Sequence, residues 1–271
     1  MEYKVLCSTV GMSKEEWLRA RMAGLGGSDA GAVCGVNRWK SPMDVYLEKI
    51  DNKGITDREN EAMYWGTILE SIIAEEFTVR TGKKARRRNA ILQSCEHPFM
   101  LANIDREIIG EKAILEIKTV NEYGKDDWKN DKIPDSYMLQ LQHYLAVMGY
   151  EKAYLAALIG GNKFITREIP RDPELIEDVI QIEKTFWDNL QKKIPPSVDG
   201  STACSKVIDR LYARADETKP TLQLSSNYEA LIIQREKIEQ EIDELETNLA
   251  EIENKIKNQL QDATAAETQN Y

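Results

Sequence analysis

The chain has 271 residues, 42% of them hydrophobic, with a net charge of −10. This is the make-up of a water-soluble globular chain with room for one large domain or two small ones. No apolar run approaches the roughly 20 residues that a membrane span needs, and the N-terminal Met1-Glu-Tyr-Lys-Val-Leu-Cys7 is too short and polar for a signal peptide. The four cysteines (Cys7, Cys34, Cys95 and Cys204) are scattered without a C-x-x-C pair. Reduced thiols in a cytoplasm are therefore expected, rather than disulfides or a zinc site. The charge is unevenly spread. Residues 220–271 carry 4 basic and 11 acidic side chains, which leaves 32 basic and 35 acidic in 1–219, a net of −3. A nearly neutral body of this kind can present a local basic groove to an anionic polymer.

Taken in chain order, residues 13–22 predict a short helix that ends before Gly24-Leu-Gly26-Gly27. Ser28-Asp29 resembles an N-cap for a second helix running through Val33. A third helix starts at Ser41-Pro42, with proline at its first position. A long amphipathic helix is expected over about 58–81, stopping at Gly82. Strand-like segments follow near 84–93, 99–109 and 112–119. The basic run Lys83–Arg88 reads either as a solvated strand edge or as a phosphate track. A helix follows Pro134-Asp135 and runs to about Gly149. Strands at 152–159 and 163–169 are joined by Gly160-Gly161-Asn162, a hairpin signal, and Asp172-Pro173 opens a helix to about Lys193. The order gives an α/β (α+β) core, with a mixed sheet flanked by helices over residues 1–194. Residues 195–220 form a tether with about one helical turn near 204–214. Beyond it, Tyr228, Arg235, Ile242, Leu249 and Ile256 recur every seven residues, with Leu231, Ile238, Leu245 and Ile252 between them. This is a heptad pattern and predicts a coiled-coil helix over 221–261, followed by a frayed tail, 262–271.

The chemistry concentrates in Asp105-x10-Glu116-x-Lys118. On a strand, Glu116 and Lys118 share one face while Leu115 and Ile117 occupy the other. Two carboxylates and a lysine aimed at one spot can hold a divalent metal and position a water. Read singly, Asp105 could be a turn residue and Glu116–Lys118 a surface ion pair. Glu70 stands on an apolar helical stripe with Ile73, Ala74 and Phe77, where a carboxylate is costly to bury unless paired or metal-bound. Gln140 and Tyr144 are one helical turn apart and share a face with Tyr137 and Met148. His143 lies off that face and reads as a surface or structural residue. A Gly-rich turn entering a helix offers N–H groups to an anion, and with Arg21 and Ser28 it could form a phosphate pocket.

Arg21 with Gly26-Gly27-Ser28-Asp29, Trp65-Gly66-x3-Glu70, Asp105, Glu116-x-Lys118 and Gln140-x3-Tyr144 occur in that order. From Trp17 to Tyr150 the chain thus resembles the YqaJ-type viral recombinase (phage lambda exonuclease) family of the PD-(D/E)XK nuclease superfamily. The resemblance implies a restriction-endonuclease-like core and a Mg²⁺-dependent 5′→3′ exonuclease acting on double-stranded DNA ends, with Mn²⁺ as a substitute metal. Its product would be 3′ single-stranded tails for a single-strand annealing recombinase, and its assembly a ring-shaped homotrimer. Asp105, Glu116 and the Ile117 backbone carbonyl would be metal ligands, and Glu70 would bind a second metal or its water. Lys118 would orient the attacking water, Gln140 would lie close to the cut, and Arg21, Ser28, Gln140 and Tyr144 would contact DNA and its 5′-phosphate. Two positions depart from the family pattern: Asn103 replaces a serine, and Tyr123-Gly124-Lys125 stands where an arginine is expected. A reading from a different class is a non-catalytic DNA-end-binding or recombinase-assembly protein acting through the coiled coil.

Overall fold

The computed structural model describes residues 2–50, 61–211, 221–263 and 265–267. The chain divides into two units, Met1–Ala213 and Arg214–Tyr271. The first begins with strand β1 (Tyr3–Ser8), which weak apolar alternation had left unread. Helix α1 (Lys14–Arg21) follows, closed by a capping box between Ser13 and Glu16. After a short β2 (Leu25–Gly26) come α2 (Gly27–Val33), α3 (Pro42–Ile50) and α4 (Glu61–Thr81). The expected start of α4 near residue 58 lies outside the described residues.

Two expected strands are each broken in two. Residues 84–93 divide into β3 (Ala85–Arg87) and β4 (Ala90–Ser94), and residues 99–109 into β5 (Met100–Ala102) and β6 (Arg106–Ile108). The breaks pass the chain from one sheet to another, and the second frees Asn103–Asp105 from the ladder. Strand β7 (Ala113–Val120), α5 (Asp135–Met148), β8 (Lys152–Ile159), β9 (Lys163–Pro170) and α6 (Pro173–Gln191) complete the predicted order, with an unpredicted 3₁₀ stretch (Glu122–Asp131) between β7 and α5. Asp172 caps α6 by accepting from the Leu175 N–H at 3.1 Å. Helix α7 (Thr202–Leu211) packs on α3 with Cys204 buried, so much of the expected tether between 202 and 211 is helical.

One sheet runs β1-β4-β5-β2 and the other β3-β6-β7-β8-β9. In the second sheet β7 and β8 are parallel, with Glu116 opposite Leu155 and Lys118 opposite Ala157, while the β8–β9 hairpin is antiparallel. The period-two alternation of β7 divides the core. Leu115 and Ile117 join Ile73, Ala74 and Phe77 of α4, whereas Ile114 joins Leu141, Leu145 and Met148 of α5. Each such fully buried side chain contributes on the order of 1.5–3 kcal/mol, enough to fix the register that puts Glu116 and Lys118 on the α5 side. The basic run lies on edge strand β3, where Arg86 is held by Glu107 at 2.8 Å and Arg87 donates to Ser71 at 2.8 Å. That is the solvated-edge reading.

The second unit contains α8 (Ser226–Leu260), none of whose residues is buried. Four i,i+4 pairs, such as Arg235–Glu239 at 2.7 Å and Lys257–Glu253 at 3.1 Å, brace it. Among the described residues no helix is long and apolar enough to cross a membrane.

Candidate active site

Asp105 sits in the break between β5 and β6, where its Oδ2 accepts the Ile117 N–H at 2.8 Å. That bond ties the aspartate to the middle of β7, beside Glu116. Glu116 is 3% exposed, and its Oε1 accepts from Lys118 Nζ at 2.7 Å and from Gln140 Nε2 at 2.7 Å. Lys118 Nζ also donates to Gln140 Oε1 at 3.0 Å and lies 4.9 Å from the centre of the Tyr137 ring. Carboxylate, ammonium and amide thus close a ring of hydrogen bonds that holds all three in one geometry. The second oxygen of Glu116, Oε2, is buried without a hydrogen-bond partner. Such an atom costs free energy unless something positive meets it.

The electrostatics point the same way. Burial, then the charge of Glu116 and at longer range that of Glu70, push the Asp105 carboxyl well above the usual carboxylate range, against Lys118 and the Ile117 N–H. Burial works to lower the Lys118 pKa, but Glu116 and Asp105 outweigh it and hold the ammonium protonated above its ordinary value. The pocket therefore has negative charge to spare, which suits a divalent cation. Among the described residues no three His, Cys, Asp or Glu side chains converge on one point. Asp105 and Glu116 are the two carboxylates that do.

Glu70 is engaged elsewhere. Its carboxylate pairs closely with Arg106 and stands 3.8 Å from Arg87, and Arg106 also donates to the Asp105 backbone oxygen at 2.9 Å. Arg106 went unread because it is the first residue of a three-residue strand, and nothing local announces a partner 36 residues away.

Arg21 and Ser28 come together beside this site. Arg21 Nη2 donates to the Ser28 hydroxyl at 2.8 Å, and the guanidinium lies 4.5 Å from the centre of the Trp17 ring. A cavity of about 70 Å³ is lined by Trp17, Arg21, Ser28, Asn103 and Tyr144. Tyr144 is buried rather than presented to solvent. Its hydroxyl donates to the Asn103 carbonyl at 3.1 Å and accepts from Gln140 at 3.3 Å. One hydrogen-bonded chain, Asn103–Tyr144–Gln140–Glu116, thus connects the cavity to the carboxylates. Gly27 makes this approach possible: a Cβ there would lie 2.5 Å from the Tyr144 ring.

The expected N-cap at Ser28 is corrected. Gly26 caps α2 and Ser28 lies within the helix, because the Asp29 side chain reaches back to accept the Gly26 N–H at 3.1 Å. Asp29, expected only as part of the N-cap, is 1% exposed. Three cations surround it: Lys40 at 2.9 Å, Lys49 at 3.2 Å and Arg21 at 3.7 Å. Burial opposes its ionisation, but Lys40, Lys49 and Arg21 together hold its carboxyl well below the usual range. His143 is likewise not at the surface. It is fully buried, with Nε2 donating to the Leu101 carbonyl at 2.9 Å and Nδ1 2.8 Å from Glu183. Its role is structural: it pins α5 to β5 and α6.

The fold and the Asp-x10-Glu-x-Lys arrangement are those of the PD-(D/E)XK class. A family model described as YqaJ-like viral recombinase domain matches residues 16–151. The chain is 44% identical over 271 residues to the protein YqaJ of Bacillus subtilis (strain 168), covering 99% of this chain and 85% of that one. The chain belongs to the YqaJ-like viral recombinase family. Among solved structures, the alkaline exonuclease LHK-Exo from Laribacter hongkongensis superposes with a TM-score of 0.57 at 22% identity. Its complex with dAMP gives 0.59 at 21%, and both cover 74% of this chain and 98% of that one. At these identities the likeness establishes the fold.

Proposed function

We propose that this protein is a metal-dependent deoxyribonuclease that degrades linear double-stranded DNA from its 5′ ends. It would act in the cytoplasm of a bacterial host and leave 3′ single strands for a phage-type single-strand annealing recombinase. The observation that carries this reading is the buried Glu116 beside the half-buried Asp105 and Lys118, with Glu116 Oε2 left unpartnered. As a structural ion pair this arrangement would be wasteful; as a cation site it is complete once charge is added. Asp105, Glu116 and the Ile117 carbonyl would hold Mg²⁺, or Mn²⁺ in its place. Glu70, the carboxylate that Arg106 engages, would serve a second ion or its water. When bound, the metal lowers the pKa of a water and stabilises charge on the leaving oxygen.

The remaining work falls to the chain's own side chains. Lys118, fixed by Glu116 and Gln140, orients the attacking water and offsets charge on the phosphate as it is cut. Gln140 holds Lys118 and Glu116 in mutual register. Arg21 and Ser28 form the polar wall of the cavity that would seat the terminal 5′-phosphate, and Trp17 stacks on the guanidinium that does so. The Tyr144–Gln140 link fixes the spacing between seat and cut. The family resemblance further supports a homotrimer encircling the duplex. A purely DNA-end-binding or assembly role leaves the unpartnered Glu116 oxygen without a purpose.

The test is release of acid-soluble nucleotides from 5′-phosphorylated linear duplex. Release should require Mg²⁺ or Mn²⁺, stop with chelator and disappear in Asp105→Ala. Equal loss from closed circular DNA would replace the exonuclease reading with an endonuclease, and no loss with any divalent metal would overturn both.

A further inference from the structure

Helix α8 carries an apolar stripe that its own chain leaves uncovered: Ile238, Ile242, Leu245, Leu249, Ile252 and Ile256 are 46–67% exposed. An isolated helix with such a seam is incomplete, since heptad positions are stable only when their knobs enter a facing helix. The residues on and beside the seam specify what that helix is. Two polar residues interrupt the stripe near its ends, Arg235 and Gln259, and two apolar residues flank it where charge is usual, Ile232 and Leu260.

In a parallel, in-register pair Arg235 would face its own copy. Glu241 would face Glu246 of the other helix twice over, with only Glu241 bridged within its own helix, by Lys237 at 3.9 Å. In an antiparallel pair centred on Thr247 the pattern resolves. Leu245 meets Leu249, Ile242 meets Ile252 and Ile238 meets Ile256, while Arg235 meets Gln259. On one flank Ile232 meets Leu260, and on the other Glu241 meets Lys255 twice. Shifting this pairing by one heptad in either direction sets Arg235 or Gln259 against isoleucine and separates Ile232 from Leu260. The flank of Ile232 and Leu260 also brings glutamates 239 and 253 near each other. Each is already bridged within its own helix, Glu239 by Arg235 at 2.7 Å and Glu253 by Lys257 at 3.1 Å, which softens that contact. Only Glu246, at the centre, faces its own copy without such a partner.

We infer that α8 is a homotypic interaction surface whose occupant is the α8 of a second copy of this chain, antiparallel and centred on Thr247. The inference is independent of the nuclease reading. Such pairing joins copies of the chain two by two through α8.

Lysine crosslinking of the full chain tests it. Along one helix Lys237 and Lys255 are about 27 Å apart, at about 1.5 Å per residue, which a short amine-reactive crosslinker does not span. Across the proposed pair Lys237 lies level with Lys257 and close to Lys255. Mass spectrometry should therefore find Lys237–Lys255 and Lys237–Lys257 links, and few homotypic ones. Ile242→Asp combined with Leu249→Asp should abolish these links and halve the mass of the assembly in light scattering, with the circular dichroism of the first unit retained. Homotypic Lys237–Lys237 links would mean a parallel bundle. No links within α8, or a mass unchanged by the double substitution, would mean an occupant of another kind. Any of these results overturns the inference.

Discussion

Lys118→Ala should reduce the rate of DNA cleavage by about 10²–10⁴-fold, the range for losing a positioned proton-handling or charge-stabilising group. Lys118 Nζ is the ammonium hydrogen-bonded to Glu116 and to Gln140. Its loss removes both the orienting contact for water and the positive charge beside the phosphate. The same loss removes the positive charge that competes with a metal ion for the Glu116 carboxylate. Binding of Mn²⁺, followed by calorimetry, should therefore be retained or tightened while single-turnover cleavage collapses. That split separates a catalytic lysine from one that only neutralises Glu116. A variant that cuts close to the wild-type rate at saturating metal would assign Lys118 to structure alone.

Asp29→Asn carries the largest expected effect on stability, about 3–5 kcal/mol, because it removes the carboxylate that faces the buried Lys49, whereas Lys40 keeps Glu48 at 2.6 Å. Asparagine fills the same volume and can still accept from the Gly26 N–H, so the loss is electrostatic. Lys49, the most buried of the three cations, is already held below its ordinary pKa, by burial first and with Asp29 as the main opposing influence. The pH dependence has a definite sign. The folded-state pKa of Asp29 lies below its unfolded value, so the unfolded chain binds more protons as the pH falls. The stabilisation is complete above about pH 4, the ordinary aspartate value, and is lost as pH falls from there through the lowered one. Urea unfolding at neutral pH should show the full gap between wild type and Asp29→Asn, narrowing under acid. A gap that is small at neutral pH, or that widens under acid, would contradict this account. Since Asp29 also lies 3.7 Å from Arg21, the variant should in addition weaken recognition of a 5′-phosphate.

The parts legible in the sequence are those governed by local periodicity. Helix α4, the β8–β9 hairpin, α6 and the heptads of α8 follow from apolar spacing and turn chemistry within a few residues. Glu116 and Lys118 were legible for the same reason: alternation in β7 fixes which side chains share a face. What the sequence hid were partnerships across long separations. Glu70 is an apolar-stripe carboxylate in sequence, and only the fold shows that Arg106 occupies it. His143 looks peripheral on its own helix, yet Glu183, 40 residues on, and the Leu101 carbonyl enclose it. Asp29 offered one local clue, an acid three residues after Gly26, the spacing of a side chain that reaches back to cap a helix. The Ser28-Asp29 pair instead resembles the cap itself, further along the chain than the true one at Gly26. The breaks at 88–89 and 103–105 were invisible because no glycine or proline marks them, and the cost of interrupting a ladder is met only when a second sheet is there to receive the chain.

The central claim is that a DNA end seated at Arg21 and Ser28 is cut at Asp105 and Glu116. Its most direct test follows duplexes labelled at one 5′ or one 3′ end, with and without a 5′-phosphate, during Mg²⁺-dependent digestion. The account predicts immediate release of the 5′ label and late loss of the 3′ label, faster with the phosphate present, and that this advantage vanishes in Arg21→Ala. Early release of the 3′ label, or a phosphate advantage that survives Arg21→Ala, would contradict it.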